Sequence, residues 1–310
     1  MNDIGVNVWR GGVQPWECDQ MGHLNVAFYL AKAAEALGGL AAELGLREAF
    51  CAQAPTTLVL RDQHIRYRRE ARLGAPLRMT GGVVELGETE GRLLLLMRHA
   101  DGELAATFQQ HVAHVDAATR DARPWPDEVR RRAEALSVQV PAEAAARSCK
   151  LDPIDGPAAL RRALGLGIPQ TSLFCVPPSE ADVFGRMRPD AVLSRFIDGA
   201  THLSASRPAQ SRAFNPKAGV GAAAVEYRFA YFDWPSAGQR VEVRAATAEV
   251  EPRTRRIIYW AFDPDTGRPW CMADSVFVSF DLNSRKMIVL EGDALEAERF
   301  GVVPELMLTR

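Results

Sequence analysis

The 310-residue chain is short of several things, and each shortage excludes a class of protein. Five cysteines (Cys18, Cys51, Cys149, Cys175 and Cys271) lie scattered, with no Cys-x-x-Cys pair among them. An odd, dispersed set reads as free thiols in a reducing, cytoplasmic setting rather than as a disulfide framework. Charge of neither sign is in excess: 37 Lys and Arg face 39 Asp and Glu. Without a basic field, nucleic acid is not the expected partner. Long apolar runs are missing too. The best candidate for a membrane span, Asn25 to Leu46, is interrupted by Lys32, Glu35 and Glu43, whereas a spanning helix needs about 20 mostly apolar residues. The start Met1-Asn2-Asp3-Ile4-Gly5 has neither a basic opening nor an apolar run, so no signal peptide is expected. Gly-rich phosphate loops and dinucleotide fingerprints are also missing. His111 and His114 are three apart, which on a strand puts them on opposite faces. The reading therefore expects no metal.

What is present is a repeat. Asp19 and Gly22, with His23 and Asn25 after them, precede an Ala/Leu-rich helical stretch; Asp182 and Gly185 precede another, 163 positions on. Tyr67-Arg68 is matched to Tyr227-Arg228, Gly74 to Gly238, and Val115-Asp116 to Phe280-Asp281, all at spacings of 160 to 165. A near-constant offset over about a hundred positions indicates a tandem duplication. Each half has the same order: a short strand, an Asp-x-x-Gly turn, one long helix, then several strands. In the first half the helix runs from Val26 to Gly45, with Asn25 as its N-cap and Gly45 as its C-cap. Pro189 opens the second. Leu93 to Met97 reads as a strand buried on both faces, and Asp101-Gly102 as a hairpin turn. The expected domains are 1–121, a linker with a charged helix (Asp127 to Arg147) over 122–165, and 166–310. The fold class expected is α+β, a helix embraced by antiparallel sheet, made twice and internally paired.

The segment Trp16-Glu17-Cys18-Asp19-Gln20-Met21-Gly22-His23-Leu24-Asn25 resembles the Asp-x-x-Gly-His-x-Asn signature of hot-dog-fold acyl-CoA thioesterases of the 4-hydroxybenzoyl-CoA thioesterase type. The likeness continues through His64-Ile65-Arg66-Tyr67 to Val115-Asp116 and covers most of residues 5 to 120. It implies a double hot-dog, thioester hydrolysis, Asp19 as the catalytic aspartate and the Val26 N–H as the group that polarises the carbonyl. Coenzyme A would enter as part of the substrate, with no cofactor besides.

The residue chemistry agrees with that reading. An aspartate is ionised at neutral pH and can attack a carbonyl or deprotonate a water. The N–H groups of Asn25, Val26 and Ala27 open a helix, where donors are unpaired and the dipole is positive, suiting a developing oxyanion. Gly22 permits close approach of backbone to ligand. His23 either orients Asp19, carries a proton to sulfur, or packs under the helix. Tyr29 is a candidate for the acyl pocket and equally for the core. Arg66 and Arg68, on one strand face with Arg69 and Arg72 nearby, are candidates for the phosphates of coenzyme A, or form a plain solvated edge. In the second copy Arg186 and Arg188 replace His23 and Asn25, so that copy is expected to have lost the chemistry, its Arg186 either facing a substrate anion or lying in solvent. Glu35 is a second carboxylate candidate and Cys18 a weaker nucleophile. Two rivals remain open. One is a hot-dog (R)-enoyl-CoA hydratase or dehydratase, whose Asp-to-His spacing differs by one residue. The other is a non-catalytic acyl-CoA-binding protein. Association into a further homo-oligomer is left open.

Overall fold

The computed structural model describes residues 4–205 and 219–307; Met1 to Asp3, part of the opening read for a signal peptide, lie outside them. Contacts group the chain into two compact units, Met1–Ala145 with Glu180–Leu193, and Ala146–Ser179 with Ser194–Arg310.

In the first unit, β1 (Val6–Gly12) leads through a 3-10 turn at Pro15–Glu17 to α1 (Val26–Glu43). The strands β2 (Thr56–Tyr67), β3 (Pro76–Leu86), β4 (Glu90–His99) and β5 (Leu104–Asp116) follow. They pair antiparallel in the order β1-β3-β4-β5-β2. Leu30, Ala33, Ala36, Leu37, Leu40 and Ala41 bury one side of α1, which packs on β1, β3 and β4. Gly45, at a φ of +93°, ends it, a left-handed conformation that glycine adopts without strain. Leu93 to Met97 on β4 are all buried, and Gly102 turns the hairpin with φ +87°.

The second unit repeats this plan. Its strands are β6 (Gln170–Cys175), β7 (Val220–Tyr231), β8 (Arg240–Val250), β9 (Arg255–Phe262) and β10 (Pro269–Asp281). Their order is β7-β10-β9-β8-β6, again antiparallel. The single long helix expected after Pro189 is instead α4 (Pro189–Asp198) and α5 (Ala200–Ala205), parted at Gly199. Phe196 of α4 stacks on Phe229 and Tyr259.

Matching details in the two halves carry the duplication to the level of single contacts. A methyl group on Gly39 would overlap the Val8 carbonyl of β1, and one on Gly199 would come within 2.9 Å of Thr171 on β6. Lys32 lies over the Trp9 ring and Arg195 over that of Phe174. Asp116 and Asp281 each accept two backbone N–H groups and are followed by a left-handed arginine, Arg120 and Arg285. The strand ladders correct one equivalence, however. Tyr67 lies opposite Ala106 and Tyr231 opposite Cys271, so Tyr67 answers to Tyr231, and Arg228 answers to His64. Two nearby Tyr-x pairs on one alternating strand are easily confused without the cross-strand register.

The connecting helix is also shorter than expected: α2 (Asp127–Ala135) stops well before Arg147. Val138, Val140 and Pro141 follow, β-branched residues and a proline that oppose helix. Ser137 instead bridges Val83 in parallel, and Val138 packs against Gly82. Val138, Val140 and Ala144 cover Leu94 and Leu96, on the sheet face turned away from α1. Further on, α3 (Gly156–Gly165) covers the corresponding face of the second sheet through Leu160 and Ala163, against Ile258, Trp260 and Met272. The stretch read as a linker is thus a cover for both sheets, each part packing on its own unit.

Candidate functional site

The turn that carries Asp19 is closed by its own carboxylate. Asp19 Oδ1 accepts the N–H groups of Met21 (2.8 Å) and His23 (3.1 Å), while the Asp19 N–H donates to the His23 carbonyl at 2.8 Å. Gly22 holds φ +75°, and a Cβ there would touch nothing within 4 Å, so the glycine is required by backbone conformation and the space above it is open. Among the described residues no hydrogen bond reaches the second oxygen, Oδ2. Asp19 therefore caps the turn with one oxygen, as the bland reading of the residue expects, and its other oxygen takes no part in that cap.

The helix start that follows narrows three amide donors to one. The Asn25 N–H donates to the Glu17 carbonyl (2.9 Å), and the Asn25 side chain caps α1 by accepting the Ala27 N–H (3.0 Å). Among the described residues no acceptor takes the Val26 N–H. Asn25 and Ala27 are thus corrected as oxyanion donors, and Val26 remains. Replacing Asn25 by Ala is expected to cost about 1 kcal/mol, seen as a lower thermal midpoint, and to release the Ala27 amide.

His23 does not touch the Asp19 carboxylate with its ring. It is 7% exposed, and its Nε2 lies 3.3 Å from Glu70 Oε2, while its buried Nδ1 has no hydrogen-bond partner among the described residues. Sequence reasoning missed Glu70, which the chain brings back through the backbone bridge between His23 and Arg72; no local pattern announces it. Tyr29 is buried beneath the turn, its hydroxyl accepting the Ala71 N–H (3.2 Å) and its ring edge-on to Tyr67. Burial pushes its phenol up to about 12, opposed by the Ala71 N–H and reinforced by the Glu70 and Asp19 charges. That places Tyr29 in the core rather than free to bind.

The arginines are corrected more strongly. Arg66 donates to the Ala142 and Ala145 carbonyls (3.4 and 3.1 Å), tying down the covering segment. Arg68 lies beyond the end of β2 and is exposed, so the two do not form a pair on one strand face. Arg69 is held by Asp101 and Glu103. Among the described residues the exposed Arg68 and Arg72 make no ion pair. Arg186 is not solvated, and the anion it meets belongs to its own turn: it is buried, stacks over Phe184, and grips Asp182 Oδ2 with Nε (2.9 Å) and a terminal nitrogen (2.7 Å). Asp182 Oδ1 accepts the Phe184 and Arg186 N–H groups, so the second copy keeps the whole turn with both carboxylate oxygens consumed. Arg188 pairs with Asp190. Glu35 accepts the Trp9 indole N–H (2.5 Å), and the Cys18 thiol donates to the Gln14 carbonyl. Among the described residues no group of three metal-ligating side chains occurs and no helix is long and apolar enough to cross a membrane.

An Asp-x-x-Gly turn feeding a buried helix, with antiparallel strands around it and the whole plan present twice, is the build of a hot-dog-fold thioester hydrolase. The thioesterase-like superfamily model matches residues 13–133 and again 176–299, and the chain belongs to that family. No curated protein matches the sequence. Among solved structures, the chain is similar to a Lactobacillus plantarum protein assigned as an oleoyl thioesterase (TM-score 0.65, 14% identity, 87% of this chain and 94% of that one). It is also similar to an acyl-ACP thioesterase from Bacteroides thetaiotaomicron (0.63, 12%, 87% and 96%). The 12:0-ACP thioesterase of Umbellularia californica is comparable (0.60, 12%, 87% and 93%).

Proposed function

We propose that this thioester hydrolase is a double hot-dog enzyme acting on an acyl-CoA, with its chemistry confined to the first copy. The observation that carries the reading is the difference between the two turns: among the described residues Asp19 has one carboxylate oxygen without a partner, and Asp182 has none left. The substrate carbonyl receives the Val26 N–H, which lies at the positive end of α1, and a developing oxyanion there is stabilised by roughly 3 kcal/mol per donor. Asp19 Oδ2 either takes a proton from a water that attacks the carbonyl carbon, or attacks that carbon itself to give a mixed anhydride that water then hydrolyses, releasing the free acid and restoring the carboxylate. The carbon–sulfur bond then breaks. A thiol with a pKa of about 8.5 departs as thiolate, and a proton from His23, held by Glu70, completes the free thiol. The 5′ side of coenzyme A carries phosphates, for which Arg68 and Arg72 replace Arg66 as the available cations. No cofactor takes part.

Thiol release followed with a disulfide dye tests this on a panel of acyl-CoA esters, short, aromatic (4-hydroxybenzoyl among them) and long-chain, beside the matching acyl-ACP thioesters. Turnover of one or more CoA esters is expected. Turnover of carrier-protein thioesters alone would move the substrate class. Ultraviolet loss of an enoyl-CoA without thiol release would make the enzyme a hydratase, and thermal stabilisation by acyl-CoA without any turnover would make it a binding protein.

A further inference from the structure

The sheet face covered by α3 holds a cleft of about 290 Å3 within the second unit, close to the size at which small-molecule sites begin, about 300 Å3. Its walls are apolar at Ile154, Ile258, Met272 and Met307, and its floor is an ion pair, Arg256 with Asp274. The corresponding face of the first unit is packed with Leu94, Leu96 and Ala144, and Gln109, which answers to Asp274, donates to the Ala144 carbonyl (2.9 Å). One copy has closed this space and the other has opened and charged it.

The floor is unfinished. Arg228, opposite Asp274 on the ladder, spends its guanidinium on the Lys150 and Asp152 carbonyls (2.6 and 2.7 Å). Glu226 is satisfied by the N–H groups of Arg147, Ser148 and Cys149. Arg256 gives one terminal nitrogen to the Ser148 carbonyl, while its other meets only the Met307 sulfur at 3.6 Å and Glu249 at 3.9 Å. Its Nε lies 3.2 Å from Asp274 Oδ1 without hydrogen-bond alignment, and among the described residues neither buried atom has a hydrogen-bond partner. A buried donor and a buried acceptor that fail to meet are each unfavourable, because both have lost water without gaining a hydrogen bond. One ligand group answers both: a carboxylate accepts the Arg256 N–H with one oxygen and the proton of a neutral Asp274 with the other.

We propose that this cleft binds a small monocarboxylate with an apolar body, its head laid across the Arg256–Asp274 pair and its body against Ile258, Met272 and Met307. Free acids released from thioesters fall in this class, but the site is separate from the turn of Asp19 and does not rest on the activity proposed above. Binding is tied to pH. Burial raises the Asp274 carboxyl to about 6, with Arg256 and Arg228 pulling it down and Glu226 and Glu249 pushing it up. Lys150, Asp152, Asp155 and Arg162 line the cleft around it, and the nearby Cys149 thiol is held neutral by burial. The carboxylate takes the protonated form, so affinity is greatest below about pH 6 and falls roughly a hundredfold by about pH 8.

Calorimetry of the full chain with hexanoate, at about pH 5.5 and about pH 8, tests the site, with hexylamine as the control of opposite charge. Saturable binding of one hexanoate is expected, with proton uptake in the upper range and none of hexylamine. Arg256→Met should weaken it at least tenfold, and Asp274→Asn should keep it while flattening its pH dependence. Ala158→Trp, a change at an exposed position on the cleft wall, should block hexanoate and leave thioester hydrolysis as it was. No saturable binding, equal binding of hexylamine, or hexanoate affinity unmoved by Ala158→Trp would overturn the proposal.

Discussion

Asp19→Asn is expected to fold and to lose thioester hydrolysis by two to four powers of ten, the range lost with a positioned general base. An asparagine oxygen still accepts the Met21 and His23 N–H groups that Asp19 Oδ1 accepts, so the turn survives while the charge on the other oxygen goes. The paired substitution makes the experiment decisive. Asp182→Asn should leave kcat near its starting value, because that carboxylate is already closed by Arg186. Its effect should appear in stability instead, through the buried guanidinium that loses its counter-charge. Steady-state rates of the two variants, with thermal midpoints beside them, separate the roles. A dead Asp182→Asn with an active Asp19→Asn would reverse the assignment of the two copies, and two active variants would remove the carboxylate from the chemistry.

The largest effect on folding is expected at Gly39. By helix propensity alone, glycine to alanine in mid-helix should stabilise by about 1 kcal/mol. Here the sign is reversed, because the new methyl would overlap the backbone carbonyl of Val8, which no side-chain rotation can relieve. Overpacking of this kind costs about 3 kcal/mol or more, or roughly 6–12 °C in midpoint at 2–4 °C per kcal/mol. Gly199→Ala should cost less, since the Thr171 hydroxyl at 2.9 Å can turn away and the Thr171 Cβ and carbonyl oxygen, at 3.0 and 3.1 Å, need yield by only a few tenths of an ångström. Thermal melts of the two variants test both the size and the order; a stabilised Gly39→Ala would mean that α1 and β1 are not in close contact. Gly39 also explains why a helix so rich in small residues packs so tightly: it sets α1 directly against the backbone of β1.

The rise of Asp274 in one copy against Gln109 in the other illustrates how duplicated halves diverge. The turn and the close approach to the first strand are kept in both, because each is demanded by backbone geometry: a left-handed glycine (Gly22, Gly185) and a glycine pressed on that strand, Gly39 within α1 and Gly199 between α4 and α5. Side chains on the covered outer face are under no such demand. There the His64 and Gln109 of one copy stand where the other has Arg228 and Asp274, and the fold accommodates the difference because carbonyls of the covering segment satisfy one guanidinium.

From the sequence alone came the features ruled by neighbours along the chain. Asn25 and Gly45 mark the ends of α1 because caps act within one turn, Leu93 to Met97 declare a buried strand by composition, and Asp19 and Gly22 define a turn whose φ only glycine takes easily. The near-constant spacing between halves already showed two copies. The destinations of the long side chains were decided only in three dimensions. Arg66 on the covering segment, Arg186 folded back onto Asp182, His23 turned to Glu70, and the register that matches Tyr67 to Tyr231 all depend on strands far apart in sequence. An arginine or histidine has many rotamers of similar energy, and the partner that selects one is supplied by tertiary packing, which no local pattern records.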